Sequence, residues 1–148
     1  MPFKSNALSD MDIKYILKSQ KIKLNGVYMK DELPSKLKNG FYVINLQSSD
    51  DGNGTHWTAL YYSSKHSFYF DPFGFLAPIE IEQKLKTYLY NDKQIQNLKS
   101  TACGYYCIAF ILFMDGQKNK EMGFKSFVDV FSNNSKKNDE ILYNLLYN

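Results

Sequence analysis

The stretch CGYYCIAFILFM, residues 103–114, limits what this chain can fold into more than any other. It has no charged residue and no proline, and Gly116 follows it, which is the pattern of a helix that is apolar on every side. Such a helix has no solvent face, so it must be central, with other elements packed around it. The 148 residues are enough for one core of that kind and too few for two comfortable ones, so a single domain over 1–148 is expected. A content of 12 Tyr and 11 Phe supports a well-packed interior and argues against disorder.

The elements that would surround the helix can be read from period and punctuation. Ser9 and Asp12 form an S-x-x-D start signal, and Ile13, Ile16 and Leu17 follow at helical spacing, which predicts a helix over 10–19. FYVINL, 41–46, reads as a buried strand. SSDDGNG, 48–54, reads as a loop, after which HWTALYY and SFYFD form two strands around a turn at Ser63, Ser64 and Lys65. Asp71-Pro72-Phe73-Gly74 ends that hairpin. A helix is predicted from Pro78, with Ile79, Ile81, Leu85, Tyr88 and Leu89 on its apolar face, and a last one over about 137–147. The expected fold class is α+β, a central mixed sheet flanked by helices.

Composition excludes some roles. No apolar run approaches the roughly 18 residues of a membrane span, and MPFKSNALSD lacks the apolar core of a secretory signal. A chain acting inside a cell, neither secreted nor membrane-bound, is expected. All 18 basic residues are Lys, and the net charge is only +3. That balance suits a solvated surface and leaves at most weak DNA binding through lysine point charges.

The two cysteines, Cys103 and Cys107, open the apolar helix one turn apart. A disulfide between them would join consecutive turns and constrain little of the unfolded chain. A structural zinc site wants about four ligands, and only His56 and His66 remain, without the usual spacing. In the third reading Cys103 sits at the tip of the helix, where backbone N–H groups and the macrodipole favour a thiolate, while Cys107 is core. Ala102 and Gly104 flank Cys103 with almost no side chain, so a substrate backbone could approach closely.

A nucleophilic thiolate needs a proton partner, and histidine serves best near neutral pH. His66 sits in the hairpin turn, where a solvated ring is expected. His56 opens a strand beside Trp57, the chain's single tryptophan. Counting back from the turn places Asp71 near the same open end of the hairpin as His56, so its carboxylate can reach the imidazole. An oxyanion would need donors: the Cys103 backbone N–H, and a side-chain amide from Gln96 or Gln94.

Taken in order, GTHWTALYY, YFDPFGF, Gln96 and STACGYYC resemble the adenovirus-type cysteine proteinases (adenain) and their relatives among the SUMO and ubiquitin-like-protein proteases. GVYMKDELP and NDEILYNLL are similar to corresponding family stretches, so the resemblance extends over 9–148. It implies a fold with the nucleophile at the start of a buried central helix. It implies Cys103 as nucleophile, His56 as general base and then acid, Asp71 as the group orienting His56, and Gln96, preferred over Gln94, as oxyanion donor. Trp57 and Gly104 would wall a narrow channel admitting glycine near the cut bond. The implied activity is viral maturation: an endopeptidase cutting capsid and structural precursors after Gly-Gly or Gly-x-Gly motifs.

The implied protein is a monomer, working in a cytoplasmic virus factory or the nucleus and packaged in the virion. Adenovirus enzymes are longer and carry a further cysteine that bonds an activating peptide. This chain has no cysteine before Cys103. No cofactor is therefore required by the resemblance, and any peptide or DNA activator would bind non-covalently. A short, Lys-rich, Arg-free version is similar to those carried by virophages and Maverick/Polinton transposons. The rival readings are an isopeptidase acting on ubiquitin or SUMO, an effector-type acetyltransferase with the same His-acid-Cys order, and a degenerate DNA- or capsid-binding module.

Overall fold

The first helix forms where the S-x-x-D signal predicts it. Helix α1 spans Asp10–Ser19, the Ser9 side chain accepts from the Asp12 N–H, and the Asp12 carboxylate accepts from the Ser9 N–H. A computed structural model describes residues 7–47 and 56–147 of the chain. The loop expected over 48–54 lies outside the described residues.

Among the described residues, five strands form one sheet in sequential order: β1 (Leu24–Met29), β2 (Gly40–Asn45), β3 (Trp57–Tyr62), β4 (Ser67–Phe70) and β5 (Tyr88–Tyr90). The sheet is mixed. The two inner pairings, β2 with β3 and β3 with β4, are antiparallel, and the outer ones, β1 with β2 and β4 with β5, are parallel. Alternation sends Phe41, Val43, Trp57, Ala59, Phe68 and Phe70 to one face and Tyr42, Ile44, Leu60 and Tyr69 to the other.

The first face carries the main core. Helix α3, Cys103–Asp115, lies across it with ten of its residues buried, as a helix without a polar side requires. Helices α1, α4 (Lys120–Asp129) and α5 (Asn138–Tyr147) close around it, with Ile13, Leu17, Phe124, Phe127 and Leu142 buried. Parallel neighbours need crossover connections. Both crossovers cover the second face, one through Leu33 and Leu37, the other through Ala77 and, on the short helix α2 (Ile79–Glu82), Ile81.

Three elements differ from the sequence reading. The helix predicted from Pro78 stops at Glu82, and Tyr88 and Leu89 belong to β5 rather than to its apolar face. The edge of β4 is a row of unpaired backbone groups, and pairing Phe68 with Leu89 satisfies them where a continued helix would not. Strand β1 and helix α4 were unpredicted. β1 is only half-buried along its length, so it shows no clean alternation. α4 carries an internal Gly123, although Asn119 caps it by accepting from the Met122 N–H.

Candidate active site

The hairpin of β3 and β4 brings two distant residues together at its open end. His56 Nε2 lies 2.7 Å from Asp71 Oδ1, and Asp71 is fully buried while the His56 side chain keeps 16% exposure. The same carboxylate oxygen accepts from the Phe73 N–H at 2.8 Å, so the turn holds the acid in place. Phe73 stacks on the imidazole at 4.4 Å between centroids with a 13° tilt, fixing the ring plane. Asn91, buried just after β5, clamps the Asp71 backbone from both sides: its Oδ1 accepts from the Asp71 N–H and its Nδ2 donates to the Asp71 carbonyl. His66 is at the other end of the hairpin, exposed, 3.4 Å from Thr87 Oγ1.

The turn after Asp71 is built against the segment that bears Gln96. The Pro72 carbonyl accepts from both the Ile95 and Gln96 N–H groups, at 3.0 and 2.8 Å. Gly74 has φ +86° and its position leaves no room for a side chain, since a Cβ would stand 2.7 Å from the Lys93 carbonyl oxygen. Gln96 is fully buried, and its Nε2 donates to the Ser100 carbonyl at 2.9 Å, leaving the second amide hydrogen for another acceptor. Gln94 is exposed and spends its side-chain amide on the Gln96 carbonyl.

Ser100 in turn is tied to α5. Its Oγ donates to Asp139, whose Oδ1 also accepts from Tyr106, and Ser100 Oγ accepts from the Ala102 N–H just before α3. Cys103 is the first residue of α3, and Ala102 supplies no side-chain cap. Backbone N–H groups at such a start carry the positive end of the helix dipole. Neither Cys103 nor Cys107 is in a disulfide, and they have 2% and 0% exposure. Burial, followed by the charges of Cys103 and Asp71, pushes the Cys107 thiol well above its usual range.

The remaining two sequence-predicted residues, Trp57 and Gly104, are both buried. Trp57 is buried and donates from Nε1 to the Leu8 carbonyl at 2.8 Å. A Cβ on Gly104 would meet Leu8 at 3.1 Å, so Leu8 fills the space that the missing side chain leaves. The ring stacked on the imidazole is that of Phe73.

The proton balance of the site centres on His56. Burial is the largest single influence and pulls its pKa down, but hydrogen bonds to Asp71 and Cys103, with the charges of both, outweigh it and raise the pKa from 6.5 to about 9. With Nε2 on Asp71, the nitrogen left for Cys103 is Nδ1. Imidazole thus bridges a buried carboxylate and a thiol at a helix start. Among the described residues no group of three or more His, Cys, Asp and Glu is placed to hold a metal ion.

No family model matches the chain. In sequence it is similar to the protease of bovine adenovirus C serotype 10, 30% identical over a 97-residue alignment covering 52% of this chain. That match spans 49% of the adenovirus protein, about half its length. In structure it is similar to the ASFV protease. The selenomethionine crystal form aligns with a TM-score of 0.59 at 14% identity, over 96% of this chain and 67% of that one. A second crystal structure of the same protease gives 0.56, also at 14%, over 96% and 66%. The α+β fold is therefore one shared with a protease, and the sequence likeness is to the adenain type, as the motifs implied. No described helix is long and apolar enough to cross a membrane.

Proposed function

We propose that the chain is a viral cysteine endopeptidase that cuts capsid and structural precursors after Gly-rich motifs. The observation that carries it is the imidazole of His56 bridging Asp71 and Cys103. Cys103 Sγ attacks the carbonyl carbon of the residue before the cut, and the oxygen becomes an oxyanion at the start of α3. The backbone there and the second amide hydrogen of Gln96 stabilise that charge. His56 delivers its proton to the departing nitrogen, the C–N bond breaks, and the acyl group remains on sulfur as a thioester. Water then attacks the thioester, giving its proton to His56, and the acid leaves as the Cys103–His56 pair is restored.

Asp71 holds the tautomer in which Nδ1 faces the thiol, and stabilises the imidazolium. The small Gly104 and buried Trp57 support the wall beside Cys103, where a glycine backbone fits better than a side chain. No cofactor enters this chemistry. The test is to incubate the purified protein with its co-encoded capsid proteins and read new termini by mass spectrometry. Cuts after Gly-Gly or Gly-x-Gly that vanish with Cys103→Ala are expected. Release of a ubiquitin-like modifier in their place would redirect the reading to an isopeptidase, and no cleavage of either kind would overturn it.

A further inference from the structure

A pocket of about 740 Å³ opens directly beside the His56 imidazole, with Phe73, Phe75, Leu76, Ile79 and Glu82 in its lining. Its walls are mostly carbon. Phe75, Leu76 and Ile79 are 65, 55 and 60% exposed, a concentration of apolar surface that is unusual for a face with nothing to bind. His56 and Asp71 both contribute to it, so the pocket is continuous with the site above. Among the described residues, neither Cys103, Trp57 nor any part of the 93–102 segment lines it. It therefore borders the imidazole and its Asp71 partner rather than the thiol.

The reaction decides which half of a substrate that side serves. The acyl half stays on Cys103, with its oxygen at the start of α3. The amine half receives its proton from His56 and must pass over the imidazole as it leaves. We propose that this pocket is a subsite for the leaving segment, receiving a large aliphatic or aromatic side chain from the first residues after the cut bond. The inference rests on the protease reading and adds to it a specificity that the Gly-rich motif, all on the acyl half, does not contain. Glu82 sits at the rim with its carboxylate held by the Tyr88 hydroxyl at 2.6 Å, so acidic side chains are rejected there more strongly than basic ones.

The test uses peptides with one Gly-Gly acyl half and Leu, Phe, Ala, Lys or Asp at each of the first three positions after the cut. At one position kcat/KM for Leu or Phe should exceed that for Ala by at least about tenfold, with Asp slowest. Ile79→Lys should erase the apolar preference and make Asp better than Lys, a reversal that misfolding cannot produce. Met122→Lys, exposed on α4 and outside the pocket, should keep the wild-type order. Equal cleavage whatever follows the bond, or an unchanged order in Ile79→Lys, would overturn the subsite and leave the protease reading standing. Failure of the wild-type protein to cut any of the peptides would remove both.

Discussion

The charge state of one imidazole sets the pH behaviour expected of the site. His56 is raised to about 9, so the proton it must give to the leaving nitrogen is present through neutral pH and lost as pH rises through about 9. The same sign holds for stability: its contribution is fully present below about 6.5 and disappears across that upper limb. A kcat/KM profile should fall above pH about 9, and Asp71→Asn should move that limb downward, because the amide hydrogen-bonds the ring without its charge. An unmoved limb would remove Asp71 from its proposed role. The two thiols should separate just as cleanly. Iodoacetamide mapping should label Cys103 fast and Cys107 slowly, since Cys107 has no exposure and a raised pKa. Cys107→Ala should keep most activity, and His66→Ala, with its ring in solvent, nearly all of it. The meeting of His56 and Asp71 was legible because a tight hairpin brings its two open ends together, although the register, which pairs Ala59 with Phe70, sets Asp71 two residues short of the position opposite His56. Asn91 was not. A buried amide clamping a backbone across twenty positions has no sequence pattern beyond an Asn after a short apolar run.

Two elements hold the side proposed for the oxyanion, and both act at a distance. The turn Asp71–Gly74 fixes Ile95 and Gln96 through one carbonyl, and α5 fixes Ser100 and Ala102 through Asp139. Asp139→Ala should lower kcat by up to about 10²-fold with little change in KM, by letting the Gln96 amide drift from the position where charge develops. An equal loss in both constants' ratio through KM alone would mean that the contact serves binding. Gly74→Ala should be poorly tolerated, for both its backbone angle and the Lys93 carbonyl forbid a side chain. In α3, Phe110→Ala should cost roughly 3–5 kcal/mol in denaturant unfolding, because the ring is fully buried against Phe70, Phe124 and Phe127. Elements with a strong period or a cap were readable from sequence: α1, α3, α5 and the central strands. The 79–90 segment misled because Ile79, Ile81, Leu85, Tyr88 and Leu89 fit a helical face, whereas the choice was made by the unpaired edge of β4, which no local pattern reveals.

At the scale of the whole molecule, the thiol inventory constrains regulation. Cys103 and Cys107 are the only cysteines of the sequence, and the second is sealed inside the core, so we propose that an activating peptide binds without a disulfide. Any stimulation by a co-encoded peptide should survive excess reductant, and any by DNA should fade steeply with salt, because it would act through lysines alone. Stimulation abolished by reductant would contradict this. Leu8, meanwhile, accepts from the Trp57 indole through its carbonyl and fills the gap over Gly104 with its side chain. Since no other tryptophan is present, emission excited at the red edge of the indole band, where the 12 tyrosines do not absorb, comes from a single fluorophore beside Leu8. Undocking of Leu8 would wet the indole and shift its emission to longer wavelength, while the distant strands stayed dark in that channel. The fold thus contains its own optical gauge of whether the ground beside Cys103 is closed, readable in real time during turnover without a label.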